Sequence, residues 1–148
     1  MTASRLAARI GCIRPDSTLA EAARILIRDT LRSLLVLDEE SDALVGILTE
    51  RDIVRQLSEG ADPDTLRVES FMSRPVTTLS EGASRGEIMQ RMRIHGIRHI
   101  PLVDADGKAT DVAALDDLLG EIGEELSDAS AALRAEFHRE VEKTRPSG

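Results

Sequence analysis

The sequence has no tryptophan, no tyrosine and only two phenylalanines. Proteins that grip single-stranded nucleic acid stack its bases on aromatic rings, so that function class is excluded. A purine, if one is bound, lies between aliphatic side chains. A lone cysteine, Cys12, excludes an intramolecular disulfide and a multi-cysteine zinc site, suits a reducing compartment, and reads first as a small buried residue. No run of 18 apolar residues occurs, which leaves no segment able to span a membrane. Positive charge is also short. A net charge of -8 and a pI near 4.9 argue against general affinity for nucleic acid or an anionic membrane, so any anion site is local. The N-terminus carries Arg5 and Arg9 without acids but lacks the apolar stretch of a secretory signal, and a cytoplasmic address is expected.

What is present is an ordinary globular composition, 41% hydrophobic and 31% charged over 148 residues. A chain of this length buries roughly 70% of its unfolded surface and folds alone, as one domain or as two small halves sharing a core. Its organising stretch is Gly46-Ile47-Leu48-Thr49-Glu50-Arg51-Asp52-Ile53-Val54-Arg55. An apolar run ends at a hydroxyl residue and turns into a helical pattern in which Ile53, Val54 and Leu57 share a face, which predicts a strand running straight into a helix. Thr49 is then the N-cap and Asp52 the third helical residue, placed to form a capping box. The same first turn presents unpaired N–H groups to an anion, with Asp52 able to accept from sugar hydroxyls. Capping and ligand binding both fit this spacing.

Along the chain, Cys12 and Ile13 approach in extended form and Thr18 with Glu21 caps a helix whose face is Leu19, Ala22, Ala23 and Leu26. Strands follow at 33–37 and 44–48, then the helix from Thr49 to about Leu57, stopped by Gly60-Ala-Asp-Pro-Asp64. The order then repeats. Residues 71–79 are extended, Ser84 with Glu87 caps a helix carrying Ile88, Met89 and Met92, Gly96 ends it, and residues 97–103 form a strand closed by the turn Asp104–Gly107. Thr18 to Ser84, Glu21 to Glu87 and Asp38 to Asp104 are each 66 residues apart. This constant offset predicts two α/β repeats, each strand-helix-strand-strand-helix. The expected bounds are 1–58, a linker at 59–66, 67–119, and a tail at 120–148.

Two such repeats, with Gly46–Arg55 in the first and Gly96-Ile-Arg-His-Ile-Pro-Leu-Val-Asp104 in the second, resemble a pair of CBS domains, also called a Bateman module, from about Leu6 to Leu119. The resemblance implies repeats packed sheet to sheet about a pseudo-two-fold axis, with clefts that take adenosine-containing ligands. The family's binding pattern falls on Gly46, Thr49 and Asp52, the acid for ribose hydroxyls and the hydroxyl residue for phosphate. The second repeat departs from it. Asp111 stands for the glycine and Ala114 for the hydroxyl residue, while Asp117 remains, so one competent cleft is expected, around Asp52. By the same resemblance the floor beneath the purine comprises Cys12, Ile13, Ser33, Leu34 and Ile47, although Leu34 equally suits plain core. Arg98 and His99 stand where the family often faces phosphates, with Arg51 a second phosphate candidate.

No catalytic constellation is found. His95 and His99 are separated by Gly96 and a change to strand, so they do not share a helix face as zinc ligands must, and no metal is expected. The tail carries Leu119, Ile122, Leu126, Ala129 and Leu133, then Phe137 and Val141, on one stripe that needs a partner surface, either its own repeat or a second chain or client; Gly120 and Gly123 are expected to divide it. The expected function is a non-catalytic regulator that needs no cofactor, binds an adenine nucleotide or an S-adenosylmethionine-like ligand, and signals by conformational change as a homodimer to a client protein. The alternative is a dimerisation or interaction module independent of ligand. Sequence does not choose among AMP, ATP, NAD(H) and S-adenosylmethionine.

Overall fold

A computed structural model describes residues 10–147, so Arg5, Arg9 and Gly148 lie outside the described residues. The chain forms two compact units, one ending at Ala113 and one beginning at Ala114. The first repeat of the larger unit consists of β1 (Cys12–Ile13), α1 (Leu19–Arg28), β2 (Ser33–Leu37), β3 (Leu44–Thr49) and α2 (Glu50–Ser58). Helix α1 is the crossover that lets β1 run parallel to β2, whereas the tight turn after Leu37 makes β3 antiparallel, giving the order β1-β2-β3. Arg14 holds that turn. Its Nη1 donates to the Asp38 carbonyl at 2.6 Å and to the Asp42 carboxylate at 2.8 Å.

Side chains alternate across the sheet, and the register assigns each face. Ile13, Leu34, Val36 and Leu48 point to the helices and form a core with Leu19, Ala22, Leu26 and Ile53. On the other face, Cys12, Leu35, Leu37, Leu44 and Ile47 pack with Ile10 and with Ala109 and Val112 of the second repeat. All five residues of β2 are therefore buried. Of the apolar face expected on α2, only Ile53 is buried; Val54 and Leu57 project outward, Val54 because it lies about 100° around the helix from Ile53.

The connection between repeats is built onto the first. A single 3-10 turn, Val68–Ser70, is fixed by Val68 N–H donating to Ser17 O at 2.8 Å and Glu69 N–H to Pro15 O at 2.9 Å, and Val68 is fully buried in the helix-side core. Ile47 and Ser73 then exchange main-chain hydrogen bonds of 3.1 and 2.8 Å, adding a single rung beyond β3.

The second repeat has β4 (Leu79–Ser80), α3 (Arg85–His95), β5 (His99–Val103) and β6 (Ala109–Ala114), in the order β4-β5-β6 with β4 parallel to β5. Two of the expected capping boxes, Thr18 with Glu21 and Ser84 with Glu87, are each formed by two reciprocal bonds between 2.9 and 3.2 Å. Gly96 ends α3 in the left-handed region, at φ 64°.

The smaller unit is α4 (Leu115–Thr144), thirty residues in one helix. Gly120 and Gly123 do not divide it. Each glycine costs about 1 kcal/mol relative to alanine, and the leucines, glutamates and alanines around them are strong enough helix formers to carry both.

Candidate functional site

Strand β3 ends at Thr49, whose extended backbone (φ -123°, ψ 168°) hands the chain into α2. The Thr49 N–H donates to Asp52 Oδ2 at 2.8 Å and the Thr49 hydroxyl donates to the same oxygen at 3.2 Å. Both side chains are half-buried. Asp52 Oδ1 takes no hydrogen bond from the described residues. The carboxylate is thus anchored by one oxygen and presents the other at the first turn of a helix, where the dipole favours its charge.

The surroundings follow from register. Ser33, 7% exposed, is paired directly with Thr49, and the Glu50 N–H reaches Arg32 O at 3.2 Å. Because paired residues point the same way, Ser33 and Thr49 share a face with Leu35 and Ile47, and Cys12 lies opposite Leu35 on that face. Thr49, Ser33, Ile47 and Cys12 are therefore brought together on one side of the sheet. Ile13 and Leu34 are not, although they were expected in the floor. They occupy the opposite face, 5% and 0% exposed, inside the helix-side core, since neighbours along a strand alternate. Gly46 is buried on that opposite face too, with Met72 filling the space a side chain would take.

Cys12 is half-buried rather than enclosed. Its thiol is pushed up to about 11, chiefly by desolvation, with the Asp42 charge adding to and Arg14 opposing the shift. Arg51 is exposed on the first turn of α2. His99 opens β5 and is half-buried, with the exposed Arg98 just before it; by the repeat offset they correspond to Ser33 and Arg32.

At the second N-terminus, Ala114 gives α4 no side-chain cap, and Asp111 accepts from the Val112 N–H at 2.8 Å. A depression of about 650 Å³ lies in the second repeat, lined by Ser80, Glu81, Arg91 and Asp104 among others. By the 66-residue offset, Ser80 stands where the first repeat has Arg14. The depression belongs to the turn end of its sheet, as Arg14 does in the first repeat, whereas Thr49 stands at the other end of β3. Among the described residues no cluster of His, Cys, Asp and Glu is arranged for a metal, and no helix is long and apolar enough to cross a membrane.

An uncharacterized protein of Methanopyrus kandleri is 34% identical over 106 residues, 71% of this chain, and the chain spans 54% of that relative's length. Among solved structures, the CBS domain of NE2398 superposes with a TM-score of 0.68 at 30% identity, covering 75% of this chain and 85% of that one. The CBS domain pair of MJ0100, solved in complex with 5′-methylthioadenosine and S-adenosyl-L-methionine, gives 0.69 at 26% identity, covering 77% and 88%. The CBS domain family profile matches twice, at residues 8–59 and 68–124, one match on each strand-helix-strand-strand repeat, and the chain accordingly belongs to the CBS domain family.

Proposed function

We propose that this chain is a non-catalytic regulatory module that takes an adenosine-containing ligand beside α2. The observation that carries the reading is Asp52, fixed through Oδ2 to Thr49 with Oδ1 left unbonded by the described residues. In this reading Oδ1 accepts from the two ribose hydroxyls, the first turn of α2 faces a phosphate or another polar group, and the Thr49 hydroxyl turns its proton from Asp52 Oδ2 to that group while the Thr49 N–H keeps the carboxylate in place. Ile47 and Cys12 supply the aliphatic wall for the adenine, with Ser33 at its edge and Gly46 letting Met72 close the strand from behind. Arg51, Arg98 and His99 are the candidates to meet the charged end. The adenosyl compounds bound by the MJ0100 pair support the ligand class. Ligand binding then shifts the population of two arrangements of the repeats, which a client protein reads. A cytoplasmic location accords with the free Cys12.

A second reading, an interaction module without ligand, is favoured by one observation. Ile27, Val54, Leu57 and Ile94 lie exposed on α1, α2 and α3, Ile27 at 82%, as apolar surface suited to a homodimer. Thermal unfolding against AMP, ADP, ATP, NADH, 5′-methylthioadenosine and S-adenosylmethionine separates the two. A ligand held by the folded state adds about 2.7 kcal/mol at a hundred times its dissociation constant, and the shift is absent in Asp52→Ala. No shift for any compound at millimolar concentration overturns the ligand reading, and turnover of the bound compound overturns the non-catalytic one.

A further inference from the structure

We infer that α4 pairs in antiparallel fashion with α4 of a second copy of this chain. Leu119, Leu126, Leu133, Phe137 and Val141 are all exposed, Leu126 and Leu133 at 70% and 68%. At 100° per residue these positions, with Ile122 and Ala129, fall within a single arc of roughly 120° along a helix about 45 Å long. Ten such side chains from two copies remove on the order of 1,000 Å² from water, and flanking residues bring the total into the range of a specific interface.

Charge selects the partner and the direction. Between 115 and 133 the helix carries six carboxylates and no basic residue, whereas Arg134, Arg139, Lys143 and Arg145 all follow, interleaved with Glu136, Glu140 and Glu142, so that a strongly acidic half is succeeded by one of slight positive charge. Two parallel copies set the six carboxylates against six. Two antiparallel copies set them against the basic end, at both ends of the pair at once. The stripe is close to self-complementary about residues 129 and 130, where reversal sets Leu126 against Leu133, Ile122 against Phe137, and Leu119 beside Val141. Ala129 and Ser130 at that centre are small, which permits close approach of the two axes.

The inference is independent of the nucleotide site and of the faces of α1, α2 and α3, and its test keeps them apart. In the full-length chain, Ser130→Cys places two thiols at the two-fold axis within disulfide range, while Leu119→Cys alone does not, the two positions standing at opposite ends of the pair. Under mild oxidation, Ser130→Cys becomes a covalent dimer, and Leu119→Cys joins only to a Val141→Cys copy mixed with it. Reversing Arg134, Arg139 and Lys143 to glutamate weakens this cross-linking about tenfold or more, and adding salt weakens it in the unmodified charge pattern. Equal cross-linking of Leu119→Cys with itself overturns the antiparallel arrangement. A chain that sediments as a dimer without cross-linking at Ser130 pairs elsewhere, and one that sediments as a monomer has α4 covered by something other than its own copy; either result overturns the inference while leaving the ligand assay untouched.

Discussion

Met72 occupies the volume that a side chain at residue 46 would fill: a Cβ built on Gly46 sits 2.3 Å from Met72 Sδ and 2.8 Å from its Cγ. The Met72 main chain is held, because the adjoining Ser73 is pinned to Ile47 by two main-chain hydrogen bonds, so relief must come from the methionine's side-chain torsions. Gly46→Ala is expected to destabilise the fold by about 1–3 kcal/mol, the usual cost of overpacking a closed site. In the double variant with Met72→Ala the two losses are less than additive. A denaturant melt of the four chains measures this, and full additivity shows that the two positions do not compete for space.

Asp52→Asn keeps an oxygen able to accept from the Thr49 N–H, so its stability falls by less than that of Asp52→Ala, which loses the cap and costs about 1 kcal/mol. Sugar hydroxyls, by contrast, lose a charged acceptor. The affinity for the adenosyl ligand falls about ten- to a hundredfold in Asp52→Asn, the range of a hydrogen bond to an ionised group. Equal affinity in calorimetric titration of both chains removes Asp52 from the site.

Much of this was legible in the sequence, and the reason is local. Hydroxyl-x-x-acid spacing and a left-handed glycine report backbone geometry within one turn, so Thr18, Thr49, Ser84 and Gly96 stand where expected. The 66-residue offset carried the repeat. What failed depends on pairing across the chain. Cys12 and Ile13 are neighbours in one strand and so lie on opposite faces, but which of them faces the site is fixed only by the register of β1 on β2. The addition of Ser73 to β3 and the burial of Val68 arise between residues far apart in sequence, and no periodicity announces them. Exposure of Val54 and Leu57 is likewise a fact about what covers α2.

Cys12 tests burial on the site face. With its thiol held at about 11, the folded protein reacts with a small alkylating reagent slowly at pH 8, and the rate rises around pH 11 rather than near 9. The raised value also means that the folded state keeps its proton where the unfolded chain has lost it, so Cys12 lowers stability as pH rises from 9 to 11 and has no effect below 9. Cys12→Ala flattens that alkaline limb. A midpoint near 9 in the native protein places the thiol in open water.

Asp38 gives the opposite sign. The Ser41 amide, then the Ser41 hydroxyl and the Glu40 amide, donate to its Oδ2 and hold the carboxyl below the usual carboxylate range. A depressed value contributes stability that is present above about pH 4 and is lost as pH falls through the depressed value. Asp38→Asn therefore lowers the midpoint of thermal unfolding at pH 7, and the two chains converge in acid. Parallel curves from pH 7 down to pH 2 show that the turn draws nothing from the charge.

Gly120 offers the reverse experiment, a substitution that stabilises. It lies inside α4, and a Cβ built there meets no atom within 4 Å. Its cost to the helix is therefore entropic, with no close approach to relieve, and Gly120→Ala recovers about 0.5–1 kcal/mol in the helix that contains it. Because Gly120 stands about 100° from Leu119, on the far side from Ile122, the added methyl leaves the apolar stripe unchanged. Helical ellipticity should then persist to higher temperature with no change in the sedimenting species. A loss of helicity shows instead that residue 120 needs the freedom of glycine, which places a bend in α4 where the structure has none.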